Sequence, residues 1–143
     1  MKQMLICNAC GARLTGALDV QSGKDPSVSS PKIVDREPLT PQGTAYKSYE
    51  PMVRSYGGPT EPLDFAPQYW VNPADLTDEV RLTKRLQRLS GCCGLAGLAG
   101  PNQLCACGEE IGTLRTDCFT PLVFIPEPGT TSWTRIEDWS EIQ

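Results

Sequence analysis

All seven cysteines of this 143-residue chain fall in two groups near its termini, and the chain contains no histidine. Cys7 and Cys10 form the first group, and Cys92, Cys93, Cys105, Cys107 and Cys118 the second; residues 11–91 hold none. Any fold must either leave these thiols unlinked or draw distant parts of the chain together through them. At about 5% of the residues they are too sparse for a disulfide-stapled miniprotein, whose cysteine content exceeds roughly 8–10%. The absence of histidine removes the Ser-His-Asp and Cys-His nucleophile systems, the usual neutral-pH proton shuttle and His-based catalytic metal sites.

The ligand chemistry is legible in the spacing. Cys7-Asn8-Ala9-Cys10-Gly11 follows a C-x-x-C-G pattern, and Cys105-Ala106-Cys107-Gly108 is a shorter version of it. Zinc binds thiolate at about 2.3 Å in tetrahedral geometry, so adjacent ligand sulfurs must stand about 3.7 Å apart. A tight turn between two cysteines achieves this, and a following glycine accepts the left-handed backbone that such a turn requires. The expected set is therefore Cys7, Cys10, Cys105 and Cys107 around one structural Zn2+. Residues i and i+2 of an extended strand diverge too far to chelate, so Cys105 and Cys107 require a bend at Ala106. Cys92 or Cys93, on the glycine-rich run 91–108, is an alternative to Cys105. Seven cysteines without histidine do not complete two independent four-ligand sites, which leaves three sulfurs over. Cys118, next to an apolar segment, reads as a small buried hydrophobe.

Proline and glycine organise the rest. Nine of thirteen prolines lie between Pro26 and Pro73, each removing a backbone donor, so residues 22–68 read as an irregular segment. Tyr46, Tyr49, Met52, Tyr56 and Phe65 within it argue for a stretch that wraps over a core rather than a solvated linker. Residues 1–21 read as a first zinc-knuckle hairpin. Residues 92–143 read as the second knuckle followed by strands, with TPLVFIPE the most β-prone. Trp133, Ile136 and Trp139 recur at a spacing of three, which predicts a short amphipathic turn in the tail. In the 69–91 block, a short strand precedes a helix beginning at Asn72, with Pro73 at its first position, acids in its first turns and Gly91 as its stop. These readings add up to one domain: α+β, mostly β, zinc-ribbon-like, with one helix and a long Pro-rich segment.

Charge narrows the partners. The net charge of -4 and pI near 4.8 argue against a wholly nucleic-acid-coated surface. No apolar run approaches the roughly 18–20 residues of a membrane helix. Met4–Cys7 is too short for the apolar region of a signal peptide, so a cytoplasmic protein with reduced thiols is expected.

The order C-x-x-C-G, N-P-A-D, G-C-C-G, G-P-N, C-x-C-G and then Asp117-Cys118 resembles a group of small, uncharacterised bacterial cysteine-rich proteins. It covers the first twenty residues and about 70–120. The resemblance implies a bacterial, cytoplasmic protein and supplies no activity. Three functions compete. A zinc-stabilised module that recognises another protein, without catalysis, fits the acidic balance and the aromatic-bearing irregular segment. A nucleic-acid-binding zinc ribbon would use Arg81, Lys84, Arg85 and Arg88 on one helical face, with Arg13 and Arg115 after the knuckles. Thiol redox chemistry would use Cys7 and Cys10 or the vicinal Cys92 and Cys93. The first is preferred.

Overall fold

The structure, a computed structural model, describes residues 2–52, 65–97 and 100–136. Among these residues nine strands form one sheet: β1 (Lys2–Cys7), β2 (Leu18–Ser22), β3 (Thr44–Ser48), β4 (Gln68–Val71), β5 (Val80–Leu82), β6 (Gln103–Cys105), β7 (Glu110–Arg115), β8 (Val123–Pro126) and β9 (Thr131–Ile136). Their order across the sheet is β5-β6-β7-β8-β4-β3-β2-β1-β9, antiparallel except for the β2–β3 pair. The sheet curls into a half-barrel.

Alternation along the central strands explains how one sheet carries two cores. Neighbouring side chains on a strand point to opposite faces. Ala45, Val71 and Phe124 join Leu5, Leu14, Leu18 and Ile111 on one face, while Tyr46, Trp70, Val123 and Ile125 join Leu39 and Met52 on the other. The central strands are therefore buried on both sides, and β8 reads as the continuous apolar run Val123-Phe124-Ile125. On the second face Tyr46 stacks on Trp70 with centroids 5.3 Å apart. Gln68, itself buried, accepts hydrogen bonds at Oε1 from the Trp70 indole and the Met52 amide.

The Pro-rich stretch supplies the cover for this second face. Arg36 and Leu39 donate their amides to Thr120 and Leu122, and Leu122 donates back to Glu37. Val28 and Phe65 pack at the margin, and β3 itself lies inside the stretch as a central strand. Tyr56 lies outside the described residues.

The expected α+β, zinc-ribbon-like architecture with one helix is not what forms. Among the described residues there is no α-helix. In the predicted helical segment, Pro73–Asp75 makes one 3-10 turn, Val80–Leu82 is β5, and Leu86–Arg88 is another 3-10 turn. The start signal is real but local: Asn72 caps the turn by accepting the Ala74 amide at 2.9 Å. Tertiary partners then capture the chain. Asn72 donates to the Thr40 carbonyl, Asp75 accepts the Gly43 amide, and Thr77 hydrogen-bonds Leu14 and Arg13. Leu82 and Leu86, which a helix would place on one face, are left in solvent, 53% and 81% exposed.

The tail differs as well. Trp133 and Ile136 belong to β9, not to an amphipathic turn, because the edge of β1 offers it six residues of antiparallel register from Lys2↔Ile136 to Cys7↔Thr131. Trp139 lies outside the described residues.

Candidate metal centre

Both cysteine turns are built by the same backbone device. In the first, β1 ends at Cys7, whose amide donates to Ala12 at 3.0 Å while Gly11 donates back to Cys7 at 2.8 Å. In the second, β6 ends at Cys105, whose amide donates to Glu109 at 2.9 Å while Gly108 donates back to Cys105 at 2.8 Å. The second turn is one residue shorter, matching its C-x-C spacing, and Ala106 sits in the expected bend. Gly11 (φ 76°) and Gly108 (φ 98°) both adopt the left-handed conformation. Open space surrounds the Cβ position of each, so backbone conformation rather than crowding calls for glycine there.

The curl brings the two turns together. Five strands separate β1 from β6 in the sheet order. Even so, Cys7 Sγ lies 3.7 Å from Cys107 Sγ, and Cys10 Sγ lies 3.5 Å from Cys105 Sγ. All four sulfurs fall within 4.8 Å of one another, with Cys7 and Cys105 buried and Cys10 and Cys107 exposed. These separations match the sulfur spacing of about 3.7 Å that tetrahedral Zn2+ requires. The residues present fit a four-thiolate metal ion. Cys92 and Cys93, the alternatives to Cys105, are absent from this group.

The electrostatics of the four thiols favour a cation. Burial pushes the Cys7 thiol up, and burial pushes Cys105 up to about 12, whereas the Glu109 amide pulls Cys107 down. Four anionic sulfurs at these distances would repel one another in a partly desolvated setting. A divalent ion inverts that balance, because a coordinating thiol loses its proton outright.

A second tie, which sequence reasoning missed, braces the turns from behind. The Thr130 carbonyl accepts the Asn8 amide at 2.9 Å, and its hydroxyl donates to the Glu110 carbonyl at 2.6 Å. Ser132 adds a hydrogen bond to the Asn8 side chain. Thr130 is thus bonded to the first cysteine turn and to the start of β7, which follows the second. Its only sequence signal is its place just before a β-prone segment.

The basic residues are distributed differently from the expected helical face. With β5 and a 3-10 turn in place of the helix, Arg81, Lys84, Arg85 and Arg88 share no helical surface. Arg88 donates to Glu110 Oε2 at 2.7 Å and to the Pro101 carbonyl, and Arg85 lies 3.9 Å from Glu110. Arg115 is buried and Arg13 exposed. Cys118 also differs from expectation: it is partly exposed, off the strands, and grouped with Cys92 and Cys93. No helix among the described residues is long and apolar enough to cross a membrane.

No protein-family model, curated protein or solved structure matches the chain.

Proposed function

We propose that the chain is a zinc-stabilised, non-catalytic protein-interaction module of the bacterial cytoplasm. The observation that carries the zinc assignment is the convergence of four sulfurs from turns 95 and 100 residues apart at 3.5 and 3.7 Å. Four protein thiolates close the coordination sphere, leaving no position for substrate or water, which is the pattern of a structural rather than a catalytic zinc. The resemblance to small bacterial cysteine-rich proteins supports the setting.

An interaction role draws its support from the 80–88 segment. Leu82 and Leu86 project from it into solvent beside a groove of about 610 Å³ lined by Lys84, Arg85, Leu104, Glu109 and Glu110. Exposed aliphatic groups ringed by charge are the composition of a protein-binding rim. Redox use of Cys7 and Cys10 is disfavoured, because both sulfurs are drawn into the four-sulfur group and no helix begins at the pair to activate a nucleophile. Nucleic-acid binding lacks the helical face it relied on.

The test of the metal is quantification on protein purified without added zinc, combined with alkylation. One zinc at this site, with Cys7, Cys10, Cys105 and Cys107 protected until a chelator is added, is expected. Metal-free protein with all four thiols freely alkylated would remove the proposal. For the interaction role, the double variant Leu82→Glu/Leu86→Glu is expected to fold and bind zinc normally yet fail to retain a partner captured by the wild-type chain.

A further inference from the structure

The three cysteines outside the tetrad are also brought together. The sulfurs of Cys92, Cys93 and Cys118 all lie within 4.8 Å of one another, the first two exposed and the third partly buried. Cys92 and Cys93 are exposed and so are not small core hydrophobes.

The grouping is built from both sides. Asp117 is only 4% exposed, and its carboxylate is spent on the backbone of the three cysteines. Its Oδ1 accepts the Cys93 amide at 2.9 Å and the Cys118 amide at 2.7 Å, and its Oδ2 accepts the Cys92 amide at 3.1 Å. A single side chain thereby sets the positions of three thiol-bearing residues, two adjacent and one from a second segment of chain.

The glycines flanking the pair complete the device. A Cβ on Gly94 would stand 2.6 Å from the Thr116 carbonyl oxygen, and one on Gly91 would collide with the carbonyl of Gly94. The G-C-C-G turn can therefore close against residues 116–118 only with glycine at both ends. Leu95 locks it there: its carbonyl accepts the amides of Thr116 and Asp117, and its amide donates to the Thr116 hydroxyl.

We infer that Cys92, Cys93 and Cys118 form a second, three-sulfur site for a thiophilic d10 metal ion, Zn2+ or Cu+, with its remaining coordination position open to solvent. Soft thiolate ligands select this class of ion. Among the described residues no fourth cysteine or carboxylate joins the group. Asp117 is a positioning residue here, because its oxygens are committed to the three amides. Cu+ is satisfied by three thiolates. Zn2+ would take water or a donor from another molecule in the open position. The two centres thus differ in character: the tetrad is closed and clasps the sheet, whereas this one is accessible and suited to exchange.

The experiment uses the full chain, reduced and stripped of metal, then titrated with Zn2+ alone. In a parallel arm the zinc-loaded protein is titrated with Cu+ against a chromophoric competitor. Wild type is expected to hold one equivalent of Zn2+ or Cu+ beyond the tetrad's zinc. Cys92→Ser, Cys93→Ser and Cys118→Ser should each lose that equivalent and keep the tetrad's. Cys10→Ser should do the reverse, which separates failure of this site from failure of the tetrad. Should Cys118→Ser fold poorly, the exposed Cys92→Ser and Cys93→Ser give the same reading. The inference is overturned if neither ion adds an equivalent. It is also overturned if the added equivalent persists in all three serine variants, or if two of the three sulfurs form a disulfide in protein kept under reducing conditions.

Discussion

Individual side chains show which local signals survive folding. Gly11 and Gly108 do, because a left-handed turn after a cysteine needs only its own backbone. Glu127 carries no such signal, and its environment is a product of the fold. Burial pushes its carboxyl up from the usual 4.5, repulsion from Glu110 adds to this, and Arg88 opposes it. The folded protein therefore holds this proton more tightly than the unfolded chain. Its contribution to stability is fully present below pH 4.5 and is lost as the pH rises through the raised value. Glu127→Gln is accordingly expected to raise the thermal midpoint at pH 7 and to match wild type near pH 4. A lower midpoint at pH 7 would show that the attraction of Arg88 outweighs burial.

Elements were legible where one face or one turn decided them. The strands at Lys2–Cys7, Glu110–Arg115 and Val123–Pro126 follow from short β-prone runs bounded by turns. The helix expected from Asn72 failed because propensity and capping are weak beside long-range hydrogen bonds to Thr40, Gly43, Arg13 and Leu14. The pairing of β7 with β8 exposes another requirement invisible to patterning. A Cβ on Gly112 would lie 2.5 Å from Phe124 Cζ and 2.7 Å from the Ile125 carbonyl oxygen. The second of these is backbone and does not swing away. Gly112→Ala is expected to destabilise the protein by about 1–3 kcal/mol, the usual cost of overpacking, measured by denaturant unfolding. An unchanged unfolding midpoint would mean that the strands separate without penalty.

At the scale of the molecule, the tetrad would act as a clasp on a curled sheet once it holds a metal ion. Its four sulfurs come from β1, β6 and the turns that follow them, far apart in the sheet order, so a metal ion held there would resist flattening of the curl as well as separation of the two turns. Closing so long a loop is not prohibitive, since each doubling of loop length adds only about 0.6 kcal/mol. Metal binding is coupled to folding in such a site, and acidification weakens it because the thiols must lose protons. Zinc removal by a strong chelator at neutral pH is expected to lower the unfolding midpoint. It should also speed amide exchange in β1 and in β6–β7 together while leaving the core around Trp70 more slowly affected. Exchange that accelerates in only one of the two turns would contradict a shared ion.

The sequence by itself determined the ligand chemistry. Cysteine spacing, the glycines that follow and the missing histidine together indicate an all-thiolate centre on Cys7, Cys10 and Cys107, because ligand type and turn geometry are properties of a few adjacent residues; that Cys105 rather than Cys92 or Cys93 joins them was decided by the tertiary structure. It also marked the β-prone runs. Only the tertiary structure decided that residues 73–88 take no helix, that β3 enters the sheet from within the Pro-rich stretch, and that Cys118 meets Cys92 and Cys93 on Asp117. Those outcomes depend on strand order and on the closing of a curl. Both are set by contacts between residues far apart in the chain, for which local pattern carries no record.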